Sequence, residues 1–398
     1  MEYLFHKQIY NLVSLDFSAV YAAESEVEMK KLGFGTMRLP LTDPENEKSI
    51  DYDQMCQMVD HFLEQGFVYF DTAYMYHKGM SEDAVKRCLV DRYPRERYIL
   101  ADKMPIQHVK ASEEYPKYFE EQLRRCGVEQ FDYYLLHNMG KERYTNTLKY
   151  GGFEFLCKLK EQGLVKNIGF SYHDDAKLLD EILTRYPEID FVQLQINYLD
   201  WDSTAIQSGA CYEVACRHGK PVIVMEPVKG GSLANLPGEA MEELKRRGAK
   251  GSPASYAIRF CASLDNCMMV LSGMSNLEQL LDNTSYMKDF QPLNQDEREM
   301  LHRVKEIVNS NMTPCTNCRY CMEECPKNIH IPAYFGLYNM YAATGKKTNM
   351  YYQRHSMNHG KAIDCIKCGK CERICPQHIE IREALEKFAD LYEREPQK

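Results

Sequence analysis

The sequence predicts an α/β chain: a (β/α)8 barrel followed by a small helical domain organised around cysteine. Two observations carry the barrel. Short apolar or β-branched runs recur at 32–37, 67–71, 98–102, 131–137, 165–171, 191–195, 221–226 and 267–272, and longer segments of helical period separate them. Eight such alternations over about 250 residues are what a closed parallel barrel needs. The second domain rests on a repeat. Cys315, Cys318, Cys321, Cys325 and Pro326 follow C-x2-C-x2-C-x3-C-P, and Cys365, Cys368, Cys371, Cys375 and Pro376 repeat it fifty residues on.

Residues 1–28 lack a turn signal, a clear period or a motif, and Met29-Lys30-Lys31 offers a later start, so they are expected to be an upstream extension. The barrel is expected over 29–290. In 54–64, Met55, Met58, Val59, Phe62 and Leu63 fall at i, i+3, i+4, i+7 and i+8, one apolar helix face; 176–183 reads likewise. A doubly wound open sheet is the competing fold. It would carry a Gly-rich turn into a helix after the first strand, and Gly33-Phe34-Gly35 does not continue that way. Residues 291–311 read as a linking helix, with Asn294 as N-cap and Glu297 three residues on. The cysteine domain is expected over 312–398, with 381–393 as an amphipathic closing helix.

Composition excludes several classes. Hydrophobic residues make up 44% and charged residues 27% of the 398, ordinary for a globular protein. The net charge of −9 without a basic stripe gives no footprint for nucleic acid. No apolar run reaches bilayer length, and 9–23 is broken by Asn11 and Asp16, so neither a membrane span nor a signal peptide is expected. The expected compartment is a reducing cytoplasm. Of sixteen cysteines, the eight outside the two runs show no pattern and read as buried thiols. His173, Asp174 and Asp175 read as a helix start rather than a metal site.

The paired cysteine runs resemble the bacterial ferredoxin signature. The resemblance implies two 4Fe-4S clusters. Cys315, Cys318 and Cys321 would hold one with Cys375; Cys365, Cys368 and Cys371 would hold the other with Cys325. Zinc sites use two ligand pairs with a longer gap, and disulfides need an oxidising compartment. The long spacer between the runs resembles the α-helical ferredoxin type.

Polar residues sit at consecutive strand ends, where barrels carry chemistry. Asp71 and Tyr76 follow the second strand, Lys103 ends the third, and His137 ends the fourth. Alone, each has a structural reading as cap, packed ring, solvated cation or core imidazole. Together they resemble the tetrad of the aldo-keto reductases. That resemblance runs from Lys31 to Phe290 and is also carried by Gly33 to Pro40, Ile168-Gly169-Phe170-Ser171, Val192-Gln193 and Leu271 to Asn276. It implies NADP(H) or NAD(H) as cofactor and a small carbonyl substrate. Tyr76 would be the general acid, its phenol eased towards ionisation by Lys103; Asp71 would hold Lys103, and His137 would orient the carbonyl. The nucleotide would lie on Thr36, Asp71, Ser171, Gln193, Gly273, Ser275, Asn276, Gln279 and Asn283. Two positions depart from the family pattern: Tyr172 stands where Asn is common, and Met225 where a stacking Tyr is common.

Nicotinamide moves two electrons as hydride, whereas a cluster moves one, and no flavin signature bridges them. The first expectation is a carbonyl reductase whose clusters serve electron transfer, redox sensing or docking of a redox partner. The alternative is an electron-transfer protein whose barrel is a scaffold or binds another redox cofactor. Trp201 is expected at the substrate pocket or on the rim.

Overall fold

The structure, a computed structural model, describes residues 29–202, 206–311, 313–344, 347 and 349–394. The expected extension at 1–28 lies outside them. Eight parallel strands close a barrel in chain order: β1 (Leu32–Gly35), β2 (Tyr69–Asp71), β3 (Ile99–Met104), β4 (Phe131–Met139), β5 (Val165–Tyr172), β6 (Phe191–Gln195), β7 (Val222–Met225) and β8 (Cys267–Ser272). The seam is shut by Leu32 against Val270 and Phe34 against Ser272. Alternate residues point inwards, so Tyr69, Ala101, Leu135, Phe191, Ile223 and Met269 fill the barrel floor as a packed core. The other strand faces meet the surrounding helices.

Local signals set those helices. Helix Tyr52–Glu64 starts where the Asp51 carboxylate accepts from the Gln54 N–H at 3.0 Å, and it buries the five apolar residues read from its period. Asp175 caps Ala176–Arg185 in the same way. Helix Gln295–Asn311 opens with a reciprocal capping box: Glu297 N–H donates to Asn294 at 2.9 Å, and Asn294 N–H donates to Glu297 at 2.9 Å. Its apolar residues Met300, Leu301, Val304 and Val308 pack with Leu233, Ala240 and Leu244. The helix expected as a linker is therefore fastened to the barrel along its length.

The second domain has its own core, in which Tyr334, Phe335, Ile381, Leu385 and Phe388 are buried. The fifty-residue sequence repeat is also a backbone repeat. Left-handed residues fall at Asn317, Arg319 and Asn328, and again at Lys367, Gly369 and His378. This domain sits over the C-terminal mouth of the barrel. Arg38 donates to the Thr316 carbonyl at 2.7 Å, Arg319 pairs with Glu47, and Lys229 donates to Gln377 at 2.8 Å. The two backbones come close at Gly230, whose φ is +64°, and where a Cβ would stand 2.0 Å from the Thr316 oxygen.

Candidate active site and cysteine centres

The strand ends meet as the sequence suggests. Lys103, wholly buried on β3, donates to Asp71 at 2.5 Å and to the Thr72 carbonyl at 2.7 Å. Its ammonium lies 4.8 Å from the centre of the Tyr76 ring, and the His137 ring meets Tyr76 edge-on at 5.8 Å. Tyr76 opens a short turn in which His77 and Lys78 both have φ of 53°. His77 pins that turn: Nε2 accepts from the Leu39 N–H at 3.0 Å, and Nδ1 bonds the Glu47 carbonyl at 2.8 Å. Behind Lys103, Gln122 bridges Glu82 and the Lys103 carbonyl, and Arg125 closes on Glu82 at 2.8 Å.

Electrostatics sets the protonation states. Burial pushes the His137 pKa well below the ordinary range, and the charges of Lys103 and Arg143 reinforce this. The ring is therefore neutral and carries one N–H. Burial, with Asp71, Glu226 and Asp102, holds the Tyr76 phenol well above its usual pKa. The sequence reading expected Lys103 to lower it. Lys103 donates to Asp71 and Thr72 and lies over the face of the Tyr76 ring. Arg38, on the cavity wall, draws the phenol down against that rise.

Tyr76, His137 and Asp71 line a cavity of about 630 Å³ at the barrel mouth. Ser171, Gln193, Gly273, Ser275, Asn276, Gln279 and Asn283 line the same cavity. Thr36 does not. It is buried behind the wall, donating to the Asp71 carbonyl at 2.9 Å and sharing a 2.7 Å bond with Ser81, so it shapes β2 rather than facing a ligand. Ser171 accepts from the Asn138 N–H at 2.7 Å. Asn283 donates to Ser272 at 2.8 Å. Asn276 caps helix Leu277–Met287, whose N-terminus opens on the cavity. The Gln193 Oε1 is buried without a hydrogen-bond partner. Of the two departures, Met225 lines the cavity and takes a 3.5 Å contact from Gln193, whereas Tyr172 donates to the Asp175 carbonyl at 2.5 Å, away from it. Trp201 packs on Tyr212 and Phe260, outside the lining.

Sequence reasoning missed several wall residues. Arg38 and Glu226 form a 3.5 Å pair there, and Glu226 holds φ of 59°. His173 lines the wall too, its pKa driven down to about 3 by burial. Most unexpected is the wall contributed by the second domain: Thr316, Cys318, Tyr320, Pro376 and Gln377. Tyr320 neighbours both Tyr76 and Arg143 in the electrostatics of the pocket. Arg38 lies just after β1 and Glu226 just after β7, whereas the second-domain residues are distant from the barrel strands in sequence.

The eight cysteines gather into two quartets. Cys315, Cys318, Cys321 and Cys375 surround one hollow, beneath Ile331, Pro332 and Phe335. Cys325, Cys365, Cys368 and Cys371 surround the other. Each therefore takes its fourth thiol from the other run. Among the described residues, no group of three or more His, Cys, Asp or Glu is placed to hold a single metal ion. Backbone N–H groups point at sulfur, from Asn317 to Cys315 and from Ile329 to Cys325, both at 3.4 Å. Cys318 lines both its own hollow and the large cavity.

Comparison with known proteins agrees with this geometry. The Aldo/keto reductase family profile matches residues 31–306, and the 4Fe-4S dicluster domain profile matches 314–380. A curated relative, the 9,11-endoperoxide prostaglandin H2 reductase of Trypanosoma cruzi, is 24% identical over 308 residues, covering 73% of this chain and 93% of its own. An aldo-keto reductase of Bacillus halodurans in its holo form superposes with a TM-score of 0.56 at 23% identity, covering 69% of this chain and 91% of that one. One from Klebsiella pneumoniae in complex with NADPH gives 0.55 at 18%, covering 70% and 91%. No described helix is long and apolar enough to cross a membrane. The barrel, its matched length and the four strand-end residues at its mouth place this chain in the aldo/keto reductase family, with a 4Fe-4S dicluster domain following the barrel.

Proposed function

We propose that the barrel reduces an aldehyde or ketone with NADPH or NADH, and that the two cysteine quartets hold two 4Fe-4S clusters, in a reducing cytoplasm. The observation that carries the reductase reading is the meeting of Tyr76, His137 and Asp71 in one cavity, with Lys103 paired to Asp71 behind its wall. The residues of that cavity suit a nicotinamide nucleotide. The unpartnered Gln193 Oε1 can accept from a carboxamide, with Ser171 beside it, and the helix N-terminus behind Asn276 suits phosphate. Bound there, the nucleotide supplies hydride to the carbonyl carbon.

The chain's own residues handle the charge that builds on oxygen. Neutral His137 donates its N–H to the carbonyl oxygen and fixes its direction. Tyr76, held protonated by its surroundings, delivers the proton from its hydroxyl as that oxygen becomes an alkoxide. Lys103 presents positive charge to the Tyr76 ring and so limits the cost of the phenolate left behind. Asp71 holds Lys103 in that position, and the second domain contributes one wall of the cavity. The quartets suit clusters because each sets four thiols around one hollow, with backbone N–H groups aimed at sulfur. When loaded they supply one-electron chemistry, for transfer, sensing or a partner protein.

The test uses anaerobically purified protein with iron and sulfide assayed. Consumption of NADPH or NADH is followed with a panel of aldehydes. Tyr76→Phe is expected to lower kcat by about 10²–10⁴-fold with nucleotide binding intact. Full activity in that variant, or no turnover in the parent, would favour the barrel as a scaffold.

A further inference from the structure

Gln377 stands between the cavity and the quartet of Cys315, Cys318, Cys321 and Cys375, and it lines both. It is 5% exposed. Its Oε1 accepts from Lys229 Nζ at 2.8 Å. Lysine is only a donor, so this contact fixes which end of the amide faces it. The other end, Nε2, is buried with no hydrogen-bond partner in the protein. A buried amide donor without an acceptor is costly, so its two hydrogens point to something that the two spaces are built to hold.

The lysine is itself tied to the cavity wall. Lys229 is 1% exposed and is bound by both Asp200 oxygens, at 2.6 and 2.8 Å. Asp200 also accepts from Asn197 at 2.9 Å and from Gln195 at 3.2 Å, and Gln195 lines the cavity. A continuous polar chain thus runs from the cavity through Gln195, Asp200 and Lys229 to Gln377. The second quartet has no such link: its hollow is lined without Gln377 or any barrel residue.

We propose that Gln377, anchored by Lys229, is a positioning residue that couples the barrel cavity to this quartet, so that nicotinamide nucleotide in the cavity shifts the reduction potential of the cluster held there. The proposal rests on the reading that the quartets hold clusters and the cavity holds the nucleotide. Hydrogen bonds and charge at cluster sulfur favour the more negative, reduced form, so an N–H redirected by an occupant changes the potential. Each cluster takes one electron, from 4Fe-4S 2+ to 1+, and in the experiment dithionite supplies it. Linkage makes the effect reciprocal: if nucleotide shifts one potential, reduction of that cluster changes nucleotide affinity by the same factor.

The test is an anaerobic redox titration read by EPR, with and without saturating NADP+ or NAD+, on protein whose iron and sulfide show both clusters loaded. One of the two cluster midpoints is expected to shift with nucleotide and the other to stay. Gln377→Leu is expected to keep both clusters and lose the shift; Lys229→Met is expected to move the same midpoint even without nucleotide. Calorimetric NADP+ affinity of the oxidised and dithionite-reduced parent gives the reciprocal reading and needs no variant to fold. Loaded clusters with unmoved midpoints, equal movement of both, or a shift surviving in Gln377→Leu would overturn the coupling alone. Protein that cannot be loaded with iron, or that binds neither nucleotide, would instead sink the reading beneath it.

Discussion

Lys103→Met removes one partner from an ion pair buried inside the barrel. Lys103 is fully buried and Asp71 is 2% exposed, so water compensates little for the loss. The remaining carboxylate keeps one oxygen that already lacks a hydrogen bond and loses the 2.5 Å contact on the other. Breaking such a pair costs about 3–5 kcal/mol, which for a barrel of this size lowers Tm by about 5–15 °C. Asp71→Asn together with Lys103→Met removes the stranded charge, and the double variant is expected to recover much of the loss. The pH dependence has a definite sign. Burial raises the Asp71 pKa despite Lys103, so protonating Asp71 favours the folded state. Without Lys103 that rise grows. The gap between parent and Lys103→Met is therefore widest at neutral pH and narrows as pH falls through the raised Asp71 pKa. The assay is thermal unfolding by near-UV circular dichroism at pH 5 to 8, with turnover measured alongside. A single variant as stable as the parent, or a double variant no better than the single, would show that the pair is not the buried charge contact described.

Three further outcomes follow from the same structure. Glu278 and Asp282 line the cavity beside Gln279, and among the described lining residues Arg38 is the only Arg or Lys, so a 2′-phosphate placed beside Gln279 would meet carboxylates; NADH is expected to have a KM about tenfold below that of NADPH, worth about 1.4 kcal/mol, checked by steady-state kinetics. His173 is half-buried and neutral, with its pKa moved from 6.5 to about 3, so its contribution is intact above pH 6.5 and is lost as pH falls. Between pH 7 and 5 it should account for about 2 kcal/mol of acid destabilisation, and His173→Gln should flatten the unfolding profile by that amount. Gly230→Ala places a methyl against the Thr316 carbonyl at a backbone angle unfavourable to alanine, and is expected to cost about 1–3 kcal/mol and raise the nucleotide KM as that wall is pushed away; an unchanged KM and Tm would mean that the domain contact is looser than the structure has it.

The barrel was readable because its information is local. Apolar strand runs, the 3.6-residue period, the helix start at Asp175 and the Asn294–Glu297 box act within one or two turns, and each appears where the sequence put it. The tetrad was readable because strand ends of a parallel barrel all face one mouth, so Asp71, Lys103 and His137 needed no further information to converge. Thr36 was misjudged for the reverse reason. Its position beside β1 is set by sequence, but whether its hydroxyl turns to the cavity or to Ser81 is settled by packing.

By itself the sequence determined the strands, the helices, the strand-end tetrad and the two cysteine runs, because backbone hydrogen bonding and side-chain periodicity are short-range. Only the tertiary structure decided that the cysteine domain closes the barrel mouth, that Cys318, Tyr320 and Gln377 are cavity wall, and that Lys229 ties the two halves together. Those contacts join residues 148 to 278 positions apart, such as Lys229 with Gln377 and Arg38 with Thr316. They depend on the fit of two finished surfaces, which exist only after each domain has folded.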